Sequence, residues 1–169
     1  MTPESRRSLE ESLVAAAIIR GSFAEIDLNP KEFGCENTRA IVKAARTLET
    51  MNQAIDPVTL SATAGKEFVT VSEISRILGL VPTSKNLPYY LEQLKKGIYE
   101  EQATLAKQKA SAAIESADDP EPIARALTAE LDALAARYLP SQNNNRFQEV
   151  CSSLINTIDA GQPIEGFFE

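Results

Sequence analysis

The sequence predicts an all-α protein, and three observations carry the prediction. Apolar residues recur at three- and four-residue intervals through most of the chain, the spacing that aligns them on one face of a helix. No run of any length alternates apolar and polar residues as a half-buried strand does. Residues 87–139 hold two long amphipathic stretches parted by the acidic break Asp118-Asp119-Pro120-Glu121-Pro122. The expected architecture is a small globular helical bundle over residues 1–86, then a long antiparallel helical hairpin over 87–139. A linker follows over 140–169, with an amphipathic linker helix at about 147–160. A thirty-residue helix is roughly 45 Å long at about 1.5 Å per residue. One domain cannot wrap such a helix on every side, so the hairpin is expected to finish its burial against another chain.

Each element has a reason in the sequence. Ser8 and Glu11 have the S-x-x-E spacing of a capping box, followed by Leu9, Leu13, Ala16, Ala17 and Ile19, with Gly21 as the C-cap. Phe23 to Leu28 forms a short apolar turn closed by Asn29-Pro30, and Phe33 precedes a loop at Gly34. A second helix covers about Glu36 to Met51, with Ile41, Ala44, Ala45 and Leu48 on one face and Asn37 or Glu36 near its cap. Asp56 at N-cap and Pro57 at N1 open a third helix that Ala64-Gly65-Lys66 ends. Val71 to Leu78 makes a fourth, between Ser72 at its start and Gly79.

The long helix starts at a cap supplied by Asn86 or Ser84, with Pro88 in its first turn. Leu91, Leu94, Ile98, Leu105 and Ile114 trace its stripe, and Gly97 weakens its middle by about 1 kcal/mol relative to Ala. The small Gly97 either admits a close neighbour or is a tolerated defect. The return helix carries Ile123, Leu127, Leu131, Leu134 and Tyr138, with Glu121 and Arg137 at the ends that suit the helix dipole. Residues 139–145 have linker composition, and Phe147, Val150, Cys151, Leu154 and Ile158 form one last stripe with no neighbouring helix in sequence to cover it.

Composition excludes several functions. Acidic residues outnumber basic ones 24 to 17, for a net charge of −7, so the chain lacks the basic footprint of an autonomous nucleic-acid binder. It has no histidine, hence no Ser-His-Asp triad and none of the commonest metal ligand. No phosphate-cradling glycine loop and no C-x-x-C zinc spacing occurs. Cys35 and Cys151 lie far apart and read as reduced, small apolar fillers. Asp118, Asp119 and Glu121 read as a solvated turn capping a helix rather than a metal site. Tyr89, Tyr90 and Tyr99 read as core or interface residues, since Lys85, Lys95 and Lys96 are offset by Glu92, Glu100 and Glu101. No 18-residue apolar run and no signal-peptide core is present, so the expectation is a soluble cytoplasmic protein without a membrane span.

The order of elements resembles a known family. Glu10-Glu11-Ser12-Leu13-Val14-Ala15-Ala16-Ala17-Ile18 is similar to the A-E-x-S-V-L-G-x-x-L opening of the N-terminal domain of DnaB-type replicative helicases. Asp27 to Phe33 resembles that family's short acidic stretch ending in D-F, and Ile41 to Leu48 its next helix. Ala54-Ile55-Asp56-Pro57-Val58-Thr59-Leu60 is similar to P-I-D-x-x-T-L almost residue for residue, and Pro82 to Tyr90 to T-P-S-x-x-N-x-x-x-Y-A. Two departures stand out: Asn37 to Ile41 lacks the family's histidine, and Val69-Thr70-Val71-Ser72-Glu73-Ile74 replaces its G-G-x-x-Y-L.

The resemblance implies a non-catalytic domain that forms the collar of a ring hexamer, often a trimer of dimers joined through the hairpins, on which primase and a helicase loader dock. It implies a hairpin seam of Ile98, Leu105, Ile114, Ile123, Leu127, Leu131 and Leu134, part within the chain and part between subunits. Phe147, Val150, Cys151, Leu154 and Ile158 would anchor the linker helix on the neighbouring subunit's motor domain; the bland alternative folds that helix back on its own domain. ATP and Mg2+ would be cofactors of a motor domain only, with none in this chain, and no direct nucleic-acid binding is expected here. Gly161 to Phe168 resembles the approach to such a motor, as though the chain were cut from a longer protein. The alternative is a stand-alone regulator or loader-like adaptor that borrows the fold to bind a helicase.

Overall fold

The computed structural model describes residues 1–65, 67, 69–115 and 119–139; the linker and linker helix expected from residue 140 onward lie outside the described residues. Among the described residues six helices run in order: α1 (Pro3–Arg20), α2 (Glu36–Thr50), α3 (Pro57–Ala64), α4 (Val71–Leu78), α5 (Leu87–Ile114) and α6 (Glu121–Tyr138). Short 3-10 turns cover Pro30–Glu32 and Ser84–Asn86, and no strand occurs among the described residues. The all-α fold expected from the sequence is the fold observed. The chain divides into two compact units, Met1–Gly97 and Ile98 onward, and the division falls inside α5.

In the first unit α1 is the central helix. Leu13, Val14, Ala15, Ala16 and Ala17 are all fully buried. A helix buried on every side must be apolar all round, as this run of five residues is. α1 packs against α2, α4 and the Ser84–Asn86 turn, while α3 bridges α2 and α4. Phe23, Ile26, Leu28, Phe33, Ile41, Leu48, Leu60, Ile74 and Ile77 fill the rest of the core.

Several helix starts differ from the sequence reading, each for a local reason. α1 begins at Pro3, not Ser8: Thr2 caps it by accepting a hydrogen bond from the Ser5 N–H at 3.2 Å, and Pro3 occupies the first turn. Ser8 and Glu11 are therefore interior residues, and the Glu11 carboxylate faces two arginines instead of a cap. α4 is capped by Thr70, whose hydroxyl accepts from Glu73 N–H at 3.2 Å, rather than by Ser72. Ser84 and Asn86 do not cap α5; they form the 3-10 turn under Thr83 that runs straight into it. α2 starts at Glu36 behind Cys35, with no side-chain cap from its own residues.

Other signals act where they were expected. Gly21 closes α1 in the left-handed conformation (φ 75°), returning its N–H to Ala17 and Ile18. Asp56 accepts hydrogen bonds from the Val58 and Thr59 N–H groups at 2.8 and 3.0 Å, and the Thr59 hydroxyl accepts from Asp56 N–H at 3.1 Å. The I-D-P-V-T run is thus a reciprocal capping box with proline at its first position. Gly97 admits a close neighbour: a Cβ there would collide with the Met1 thioether, which covers this point of α5.

Candidate assembly interface

Polar side chains hold the long connection between α1 and α2 in place. The Glu10 carboxylate is fully buried and accepts four hydrogen bonds: from Gly34 N–H at 2.7 Å, Cys35 N–H at 3.0 Å, the Thr38 hydroxyl at 2.9 Å and Arg6 Nε at 3.1 Å. It reaches from α1 to the residues just before α2 and to the Thr38 hydroxyl in its first turn, placing a negative charge where the helix dipole favours one. Arg46 donates to the Ile26 and Leu28 carbonyls at 3.0 and 2.6 Å, and Glu49 accepts from Phe23 N–H at 2.6 Å. This anchoring satisfies loop backbone groups that burial would otherwise leave unpaired.

Glu11 sits between Arg7 and Arg76, with Arg76 Nη2 at 2.8 Å and Arg7 Nε at 3.1 Å. The Arg76 hydrogen bond holds its carboxyl below the usual carboxylate range against the opposing effect of burial, and Arg7 adds to it. The Asp56 carboxyl is likewise lowered, chiefly by the Thr59 N–H it accepts. Glu11 is held in ion pairs and Asp56 in a helix cap.

The hairpin arms, α5 beyond Gly97 and α6, belong to the second unit. Tyr99, Ala103, Ala106 and Ala110 are buried along α5 at spacings of four, three and four; Leu131, Ala135 and Tyr138 are buried along α6 at four and three. These two stripes are the buried faces of the two long helices in this unit. Alanines at such positions let helices approach closely, in the manner of coiled-coil packing.

The expected seam residues separate into three groups. Ile98 and Leu131 are buried. Ile114, Ile123, Leu127 and Leu134 are half-buried, along the margins of the stripe. Leu105 is 51% exposed. At about 100° per residue, Leu105 lies roughly 200° round the helix from Ala103, on the side opposite the buried stripe. The single stripe read from Leu91 through Ile114 is therefore two: Leu94 and Ile98 share a face with Leu105, whereas Ile114 belongs with the alanines. The linker-helix residues Phe147, Val150, Cys151, Leu154 and Ile158 lie outside the described residues.

Tyr99, Ala103, Ala106, Ala110 and Ala135 were missing from the seam read from the sequence. Their signal was regular spacing without hydrophobic bulk, which an apolar stripe of leucines and isoleucines outweighs. Of the three tyrosines Tyr99 is buried, whereas Tyr89 is exposed and meets the half-buried Tyr90 edge-on at 5.9 Å between ring centres; Lys95 is paired with Asp27 at 2.7 Å. Among the described residues no cluster of three His, Cys, Asp or Glu side chains could hold a metal ion, and no helix is long and apolar enough to cross a membrane.

A compact unit of short helices followed by two long helices defines the class: an all-α domain. The model of one family, the DnaB-like helicase N terminal domain, matches residues 2–96, nearly the whole of the first unit. The chain belongs to this family, as an N-terminal collar domain of the DnaB type. Its fold is similar to the N-terminal domain of DnaB helicase from Mycobacterium tuberculosis, with TM-score 0.61 at 17% identity, over 74% of this chain and 94% of that one. It is also similar to a DnaB-like replicative helicase described with its interactions with primase, with TM-score 0.62 at 12% identity, over 85% of this chain. The chain spans 34% of that helicase's length. No curated protein sequence matches it.

Proposed function

We propose that this chain is the non-catalytic assembly and partner-docking domain of a hexameric, ATP-driven replicative DNA helicase. The observation that carries the reading is the two-sided hairpin. Beyond Gly97 the alanine stripe of α5 is buried, while the opposite side exposes Leu105, the nineteenth residue of a helix of 28. Ile114, Ile123, Leu127 and Leu134 leave a half-buried margin beside the seam, and a second copy's hairpin would cover both. Burying one such side chain contributes roughly 1.5–3 kcal/mol, so a few shared between two chains support a weak dimer.

In this reading ATP and Mg2+ belong to a motor domain beyond the chain, and the domain binds no nucleic acid itself. Primase and a loader dock on the collar, and Phe147, Val150, Cys151, Leu154 and Ile158 anchor the linker segment on a neighbouring motor. The test is the mass of the chain by light scattering over a dilution series, beside Leu105→Asp. Dimers or larger species that Leu105→Asp reduces at least about tenfold in association constant support the reading. A chain that stays monomeric at high concentration, or a variant that associates like the parent, contradicts it.

A further inference from the structure

A half-open groove of about 320 Å3 lies between α2 and α3, within the first unit. Ala40, Ala44 and Ala64, buried or half-buried, give it a floor of small side chains. Arg39 and Lys43 stand one turn apart on the α2 side, which sets their Cβ atoms roughly 6 Å from one another. Arg39 donates through Nε and Nη2 to the Phe33 carbonyl, at 3.2 and 2.7 Å, which holds the guanidinium in place and leaves Nη1 for another acceptor. Lys43 is exposed, and among the described residues no carboxylate pairs with it. Glu36, at the N-terminal end of α2, is the one acidic side chain in the lining.

Charge and shape together select the occupant. A nucleic-acid backbone calls for a stripe of cations, and this groove has two beside a carboxylate, on a chain of net charge −7. A small-molecule site encloses most of its ligand, whereas this groove is half-open and its lysine stands in solvent. A helix laid along the groove meets both conditions: small residues rest on the alanine floor, and carboxylates one turn apart face the two cations one turn apart. The net negative charge of the chain is screened beyond about 8 Å at physiological salt, so at contact the local cations decide.

We infer that the α2–α3 groove is a docking site for an acidic helical segment of a different protein, one that presents two carboxylates a turn apart beside small residues. The inference rests on the docking part of the proposed function and deepens it, because it gives one surface of the first unit and the chemistry that surface recognises. Glu36 fixes the polarity of the bound segment: its acidic end lies towards Lys43, since a carboxylate placed at the other end meets a like charge.

Fluorescence anisotropy on the whole chain tests this with a labelled helical peptide of Glu-Ala-Ala-Ala-Glu repeats as the probe and its lysine counterpart as the control. The acidic peptide is expected to bind and the basic one not. Lys43→Gln should weaken binding at least about threefold and Lys43→Glu at least about tenfold, while Glu36→Gln strengthens it. Circular dichroism identifies a variant that fails to fold; Lys43→Gln and Glu36→Gln, opposite in direction, then decide. The proposal is overturned if the acidic peptide does not bind at millimolar concentration or if folded Lys43 variants bind it like the parent. Displacement of the peptide by an equal concentration of inorganic phosphate overturns it in favour of a small anion. Loss of self-association in Lys43→Glu, read by light scattering, overturns it in favour of a second copy. Leu105→Asp separates the two readings: it should weaken self-association and leave peptide binding unchanged, so a failure of either measurement counts against one reading and not the other.

Discussion

Glu10 shows how one buried carboxylate can organise a connection. Its four hydrogen bonds join α1 to the start of α2 and satisfy the N–H groups of Gly34 and Cys35. Removing it leaves those donors buried without an acceptor, so Glu10→Ala should cost about 3 kcal/mol in urea unfolding, and Glu10→Gln less, because an amide oxygen still accepts. The neighbouring Glu11 makes a different prediction. Its carboxyl is lowered in the folded chain by Arg76 and then Arg7, so below its ordinary value of 4.5 the unfolded chain takes up a proton that the folded one resists. Its contribution is present above that pH and is lost as pH falls through the lower, folded value. Glu11→Gln should therefore flatten the acid limb of a stability–pH curve measured by thermal unfolding, most visibly just below pH 4.5. Asp56→Ala, which removes the cap of α3, should cost about 1 kcal/mol.

At the scale of elements, what was legible followed from local chemistry. The Asp56-Pro57 start, the Gly21 stop and the acidic break before α6 each act through residues adjacent in sequence, and each stands where the sequence put it. The anchoring of the segment that leads into α2 was illegible because it comes from Glu10, on another helix. The two-sidedness of α5 was illegible for a related reason: periodicity records which positions are apolar, not which neighbour buries them, and Leu105 and the alanine stripe are both at helical spacing. Tertiary context divides them. Variants should respect that division. Leu131→Ala, in the buried seam, should cost about 3 kcal/mol of hairpin stability in denaturant titration, whereas Leu105→Asp should change unfolding by no more than about 0.5 kcal/mol. Leu131 consequently reports on the integrity of the hairpin, and Leu105 on what the hairpin meets.

For the whole molecule, the family match over residues 2–96 and the compact unit ending at Gly97 describe nearly the same head. Beyond it, sequence likeness gives way to a hairpin recognisable by pattern alone, since any regular apolar helix pair of suitable length can serve as an arm. The central claim is that the exposed side of α5 joins one copy to another. Disulfide trapping tests it most directly: Leu105→Cys in a background with Cys35→Ser and Cys151→Ser, oxidised and run without reductant. Two hairpins paired about a two-fold axis that passes at Leu105 bring the two introduced thiols together, so the expected result is a covalent dimer that forms at micromolar concentration and is abolished by dilution before oxidation. A chain that remains monomeric after oxidation, while an unpaired thiol reagent still labels residue 105, contradicts the claim.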